Sequence, residues 1–198
     1  SALGINDAKD SDYAKSKLEG EDRILKNFPL ATILRPSIVY SVDDNFTTNF
    51  MTLLNRLPIF PLYYEGKTKF APIHCSDLTD VIFNVISNNV NSKIIECVGP
   101  EIISFKEILE KLLILIGKKR FLVPMPLPIA NISARFFEIM PKPILTRDQL
   151  KLLKYDNVLS GKYKSNSDIG VPSLRYFDEE VKKYCYMWRE GGQFSTEK

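Results

Sequence analysis

Tyr13 and Lys17 stand four residues apart in a stretch where Ala14, Leu18, Ile24, Leu25 and Phe28 recur at helical spacing. The spacing predicts a helix over about 13–27 with both side chains on one face, and Asp10, Ser11 and Asp12 are its cap candidates. A tyrosine works as general acid or base near neutral pH once its pKa, ordinarily near 10, is drawn down by roughly three units, about 4 kcal/mol. An ammonium on the same face acts in that direction, and so does the positive end of the helix close to Tyr13. The lysine could also hydrogen-bond a cofactor ribose. The spacing alone is cheap, because nine tyrosines in 198 residues give about one such match by chance. Tyr63 and Lys67 are a second match, but Gly66, Pro58 and Pro61 put them in a loop where no helix aligns the pair.

Other residues with chemical potential read as structural. His74, the only histidine, lies near Asp77 and could be a base, with a structural hydrogen bond the preferred reading. Asp43 and Asp44 read as a turn and an N-cap rather than an acid/base pair. Lys118, Lys119 and Arg120 follow Gly117 and read as a solvated helix end, or as an attractor of anions or lipid headgroups. Phe136, Phe137 and Met140 read as core. Cys75, Cys97 and Cys185 form no C-x-x-C pair, which favours a reducing compartment and no metal site. The nine glycines form neither a G-x-G-x-x-G nor a G-x-x-x-x-G-K cluster, so any phosphate grip must be borrowed from outside this sequence.

These residues need elements to hold them. Leu30–Arg35, closed by Pro36 and continued by Ile38–Tyr40, reads as a buried strand after the first helix, an αβ unit of a parallel sheet. Asp44 caps a helix with Phe46, Phe50, Leu53, Leu54 and Leu57, which the prolines of 57–62 break. Phe70–His74 is a further strand candidate. Ser76 and Asp77 cap a helix with Leu78, Val81, Ile82, Val85 and Ile86, and Lys93–Val98 is a strand before the Gly99–Pro100 break. The alternation predicts an α/β fold. Beyond residue 101 the pattern turns mainly helical. A Ser104/Glu107 capping box starts a helix that Gly117 ends, and further helices are expected at about 128–140, at 147–154 behind a Thr146/Gln149 box, and at 177–188.

Composition fits an ordinary globular chain of one domain or one and a half. It is 44% hydrophobic and 26% charged with a net charge of +3, which excludes disorder, collagen and coiled coil. A chain this long buries roughly 70% of its unfolded surface and needs no disulfide or metal. The small positive excess gives no nucleic-acid footprint. Phe121–Pro128 is apolar but carries three prolines and falls short of the about 20 residues of a membrane span. The chain opens at Ser1 with no Met, basic n-region or apolar h-region, and so reads as a piece of something longer.

In order, Ser1–Gly4, Tyr13–Glu21, Ile33–Tyr40 and Pro72–Asp77 resemble the second half of an extended short-chain dehydrogenase/reductase. Gly99–Glu101, Pro124–Pro126 and above all Leu145–Asn157 are similar to one atypical branch, that of the nucleotide-binding accessory subunit of respiratory complex I and its bacterial relatives. The resemblance covers about residues 1–190. It implies the C-terminal part of a Rossmann-like, doubly wound parallel sheet over 1–100, with a smaller, mainly helical substrate- or partner-binding region over 101–198. Tyr13 would be the proton donor or acceptor, Lys17 would bind the nicotinamide ribose and lower the tyrosine pKa, and Ser1 would hydrogen-bond the reacting oxygen. Pro36, Ser37 and Ile38 would lie along the nicotinamide, and Val39, Tyr40 and His74 would face the substrate. The implied cofactor is NAD or NADP, NADP(H) favoured, without a metal. The implied activity is carbonyl/alcohol oxidoreduction through a Ser/Tyr/Lys proton relay. The alternatives are a non-catalytic accessory or assembly factor of complex I or of quinone biosynthesis holding a structural dinucleotide, and a nucleotide-sugar epimerase or dehydratase. The apolar, proline-rich second half favours a quinone- or isoprenoid-like ligand. The expected location is the cytoplasm or the mitochondrial matrix side, peripheral to the inner membrane and close to a respiratory-complex or membrane partner. Two departures stand out: Ser41 replaces a glycine common in relatives, and the glycine fingerprint and first βαβ units are not in this sequence.

Overall fold

The computed structural model describes residues 1–90, 93–126, 128–129 and 146–194. The expected 128–140 helix beyond residue 129, with Phe136, Phe137 and Met140, lies outside the described residues. The first helix, α1 (Asp12–Asn27), forms where the apolar periodicity places it, and the Ser11 hydroxyl accepts the Ala14 amide at its start. Helices α2 (Thr47–Arg56), α3 (Cys75–Ser87) and α4 (Phe105–Leu115) follow. Short α5 (Arg147–Leu152) and α6 (Phe177–Lys182) complete the α-helices bounded here. Both capping boxes are made, Ser104 with Glu107 and Thr146 with Gln149. Gly117 ends α4 with a φ of 66°, the left-handed position that favours glycine.

Strands β1 (Ile33–Pro36), β6 (Ile94–Cys97) and β9 (Lys164–Ser165) form a parallel sheet in the order β1-β6-β9. The run from Leu30 to Tyr40 is therefore not one strand. The Ser37 amide donates to Cys97 O, the last bond on the β6 side, and the Ile38 carbonyl accepts from Ile73. There β2 (Val39–Tyr40) begins, pairing in parallel with β5 (Ile73–His74). The Phe70–His74 run is split in the same way, since β4 (Lys69–Phe70) pairs antiparallel with β7 (Ile103–Ser104). The prolines of 57–62 do not prevent β3 (Ile59–Leu62), which lies parallel to β8 (Phe121–Pro124) in a two-stranded ribbon, an edge setting that tolerates proline. Gly99 passes so close to Pro72 that a Cβ there would meet its carbonyl oxygen at 1.7 Å, so no other residue fits the exit of β6.

Several local expectations change on contact with the fold. Helix α3 is capped by His74, whose Nδ1 accepts the Ser76 amide at 3.3 Å. Asp77 is instead buried and paired with Arg175. The expected 177–188 helix stops at Lys182 and resumes as a 3-10 turn, Cys185–Trp188. Strand β9 returns from the C-terminal region to pair with β6. The larger core gathers Tyr40, Met51, Leu54, Phe105, Leu109 and Phe177 between α2, α4 and α6. A smaller one, Ile73, Val81, Ile95 and Cys97, lies between the sheet and α3.

One charged pair is built into this interior. Arg35 on β1 donates from Nε at 2.8 Å and Nη2 at 2.5 Å to the Glu21 carboxylate of α1, and both side chains are at most 6% exposed. Burial by itself would raise the Glu21 pKa, but the Arg35 hydrogen bonds and charge outweigh it and hold the carboxyl below its ordinary value. The pair fixes the rotation of α1 against the sheet. Arg35→Ala is expected to cost about 3–5 kcal/mol in urea unfolding, because Glu21 is left buried and unpaired, whereas replacing both by leucine is expected to be near neutral. Since the Glu21 pKa is depressed, the pair's stabilisation is complete above the ordinary glutamate value and lost as pH falls through the lower folded-state value. The acid limb of a stability–pH profile should therefore flatten in the double-leucine variant.

Candidate active site

A cavity of about 470 Å³ opens between the start of α1, the chain leaving β1, and α2. Tyr13, Pro36, Ser37 and Ile38 lie in its wall together. Tyr13 is 43% exposed. Lys17 Nζ stands 5.4 Å from the centre of the Tyr13 ring, over the π face. Among the described residues no carboxylate or hydrogen-bond acceptor engages the Lys17 ammonium. Ser1 is exposed and adjoins Ala2, which lines the cavity. Neither Lys17 nor Ser1 is among the residues that line the cavity; the lining itself, one wall of backbone at the end of a parallel strand and one phenol, fits the nicotinamide end of a dinucleotide.

Val39, Tyr40 and His74 are not in this wall. Tyr40 is fully buried, its hydroxyl donates to Arg175 O at 3.2 Å, and its ring meets His74 edge-on at 5.3 Å. Val39 packs against the smaller core. His74 spends Nδ1 on the α3 cap and holds Nε2 3.9 Å from Glu180. Burial leads the lowering of its pKa, which keeps the imidazole neutral and Nδ1 an acceptor. These three side chains pack in the core or cap α3 and lie outside the cavity lining. Tyr63 and Lys67 also part company, since Tyr64 and Glu65 adopt positive φ and Lys67 pairs with Glu65. Arg120 bonds the carbonyls of Leu54 and Asn55, and Lys118 pairs with Glu190. Burial pushes the Cys97 thiol up to about 12, which makes it inert.

Partial burial raises the Tyr13 pKa, and the Lys17 ammonium lies over the ring. The phenol is therefore firmly protonated, a state suited to giving a proton rather than taking one.

Two residues that no local pattern revealed hold the site in place. Asp148, at the start of α5, accepts the Asp12 amide at 2.8 Å, the Tyr13 amide at 3.0 Å and the Ser11 hydroxyl at 2.9 Å. It satisfies first-turn donors that have no partner inside α1, and its charge suits that positive helix end. Burial opposes ionisation of Asp148, but these hydrogen bonds prevail and lower its pKa. Asn157 accepts the Ser37 hydroxyl at 2.6 Å and donates from Nδ2 to Leu3 O at 2.9 Å, while its backbone bonds Lys69 and Ala71. Asn157 thus ties the β1 exit to the N-terminal segment. In sequence nothing local marks Asp148, because its partners lie 135–137 residues away. Asp148→Ala is expected to lower stability by about 1–2 kcal/mol, read as a shifted urea midpoint at unchanged m.

No family model matches the chain. It is 26% identical over 203 residues, 97% of this chain and 50% of the relative, to the mitochondrial NADH dehydrogenase (ubiquinone) 1 alpha subcomplex subunit 9 of Arabidopsis thaliana. To the protein of the same name in Dictyostelium discoideum it is 24% identical over 99% of this chain and 56% of the relative. A ceramide reductase of Caulobacter vibrioides is 34% identical over 77 residues, 39% of this chain and 24% of that protein. Among solved structures, dTDP-glucose 4,6-dehydratase of Bacillus anthracis in complex with NAD superposes with a TM-score of 0.60 at 15% identity, covering 90% of this chain and 51% of that one. RMD from Pseudomonas aeruginosa complexed with NADPH superposes at 0.54 with 10% identity, covering 89% and 54%. The chain spans about half the length of the curated relatives it matches over nearly its whole extent. By sequence the chain is similar to the complex I alpha subcomplex subunit 9 proteins, and its fold is the Rossmann-like α/β fold of these solved structures.

Proposed function

We propose that this chain carries the nicotinamide- and substrate-facing part of an NAD(P)(H)-dependent oxidoreductase that reduces a carbonyl to an alcohol. Residues 1–100 would belong to the dinucleotide domain and 101–198 to the substrate- or partner-binding region. The observation behind this reading is the convergence of Tyr13, Pro36, Ser37 and Ile38 on one cavity, with the uncommitted Lys17 ammonium one helical turn from Tyr13. The partial likeness to a ceramide reductase favours reduction over the sugar-nucleotide epimerase or dehydratase alternative.

When bound, the reduced nicotinamide supplies the hydride. The chain's own residues do the rest. The β1 exit at Pro36–Ile38 would support the nicotinamide, Lys17 would hold its ribose, and the protonated Tyr13 hydroxyl would give its proton to the carbonyl oxygen. Lys17, poised over the ring, stabilises the negative charge that Tyr13 acquires. Ser1 would hydrogen-bond the same oxygen. The Ser37 hydroxyl is held by Asn157 and serves the wall, not the substrate.

A second reading takes its support from the subunit 9 relatives, which match 97% and 99% of the chain. In it the protein is an accessory or assembly factor of complex I, or of quinone biosynthesis, and its dinucleotide never turns over. Either way the protein would sit on the matrix or cytoplasmic side, beside the inner membrane. No helix among the described residues is long and apolar enough to cross one, and none of their His, Cys, Asp and Glu side chains form a group that could hold a metal.

The full-length protein separates the two. Carbonyl-dependent oxidation of NADPH or NADH is expected, falling about 10²–10⁴-fold in Tyr13→Phe. Turnover unchanged in that variant would remove Tyr13 from the chemistry, and a tightly held, redox-inert dinucleotide that co-purifies with a respiratory complex would establish the accessory role. Because burial raises the Tyr13 pKa, the rate of reduction should stay level with rising pH until above about 10 and only then decline.

A further inference from the structure

The cavity continues from Tyr13 into an aromatic chamber. Helix α2 is apolar on two faces. Met51 and Leu54 are buried in the larger core; Phe46, Phe50 and Leu53, partly buried against that core, and Leu57 line the cavity as well. Phe46 and Phe50 join Phe60, Phe70 and Phe105 in a chain of tilted and edge-on ring contacts of 4.9–6.4 Å, and all five rings line the cavity. A helix that is apolar on both sides is normally covered on both. Here the second face borders open volume of a size that holds a substantial small molecule.

The polar groups of the wall are mostly engaged elsewhere. Asn157 is bonded to Ser37 and Leu3, Gln149 closes its capping box, and the Asp156 carboxylate accepts the Lys69 amide. No lysine or arginine lines the cavity among the described residues. A sugar would bury many hydroxyls against an apolar lining with few partners. A hydrocarbon tail would lose nothing and cover the rings.

Resting on the reading that Tyr13 meets the reacting carbonyl, we infer that the cavity binds the tail of a long-chain carbonyl compound, an acyl or prenyl chain, with the carbonyl held at Tyr13. The measurement is displacement of the neutral fluorophore N-phenyl-1-naphthylamine from the full-length protein, without dinucleotide. The competitors are alkan-2-ones of increasing length and prenyl ketones of matched length. Affinity is expected to rise roughly two- to fourfold per methylene until the chamber is full, for straight chains if the tail is acyl and for prenyl ketones if it is isoprenoid. Asn49, exposed on the same wall, allows the chamber to be blocked without touching the core. Asn49→Trp should end the rise at shorter chains, and Asn49→Asp should weaken long-chain binding at least about tenfold by placing a charge against the tail. Affinity independent of chain length in both series, or unaltered in both variants, would overturn the inference. Chain-length-dependent binding without any NAD(P)H oxidation would keep the inference and remove the oxidoreductase reading. Turnover of short ketones with no gain from longer tails would do the reverse.

Discussion

Helix α1 begins on a carboxylate that arrives from the far end of the chain. The Asp12 and Tyr13 amides and the Ser11 hydroxyl all end on Asp148, so the orientation of the phenol in the cavity depends on a contact closed only when α5 docks. Nine residues later Asn157 grips the other wall through Ser37 and Leu3. The segment from Asp148 to Asn157 therefore acts as a clasp across both sides of the cavity. Behind it, the buried Arg35–Glu21 pair joins α1 to β1 and sets the helix against the strand whose end supplies Pro36–Ile38.

This arrangement divides the cavity by polarity. The Tyr13 end offers one hydroxyl, with the Lys17 ammonium over the Tyr13 ring. The α2 side offers phenylalanine rings together with the exposed Asn45 and Asn49. In a low-dielectric wall a lone donor is worth more than in water, and an unpaired buried acceptor costs more. Such a site favours a ligand with one polar atom at a fixed place and an apolar remainder.

The parts of this fold that obey short-range rules were legible in the sequence. The period of α1, the Ser104/Glu107 and Thr146/Gln149 boxes and the Gly117 stop each depend on side chains within a turn of one another. What was not legible depends on chain segments meeting in space. The run through Ile38 looks continuous because apolar character does not reveal that the backbone exchanges β6 for β5 after Pro36. Asp148 carries no sign of its partners in α1. Lys17 falls on the Tyr13 face as the spacing demands, yet spacing does not fix the height of the ammonium, which lies over the ring and leaves the hydroxyl pKa raised by burial.

The clasp is the central claim, and site-resolved amide hydrogen exchange reads it most directly. In Asp148→Ala the Asp12 and Tyr13 amides are expected to lose about tenfold or more in protection, the equivalent of the cap's about 1–2 kcal/mol. In Asn157→Ala the loss is expected at Leu3 and Ser37 instead, with the α4 amides unchanged in both variants. Protection at Asp12, Tyr13, Leu3 and Ser37 that matches the unsubstituted protein in both variants would contradict the account.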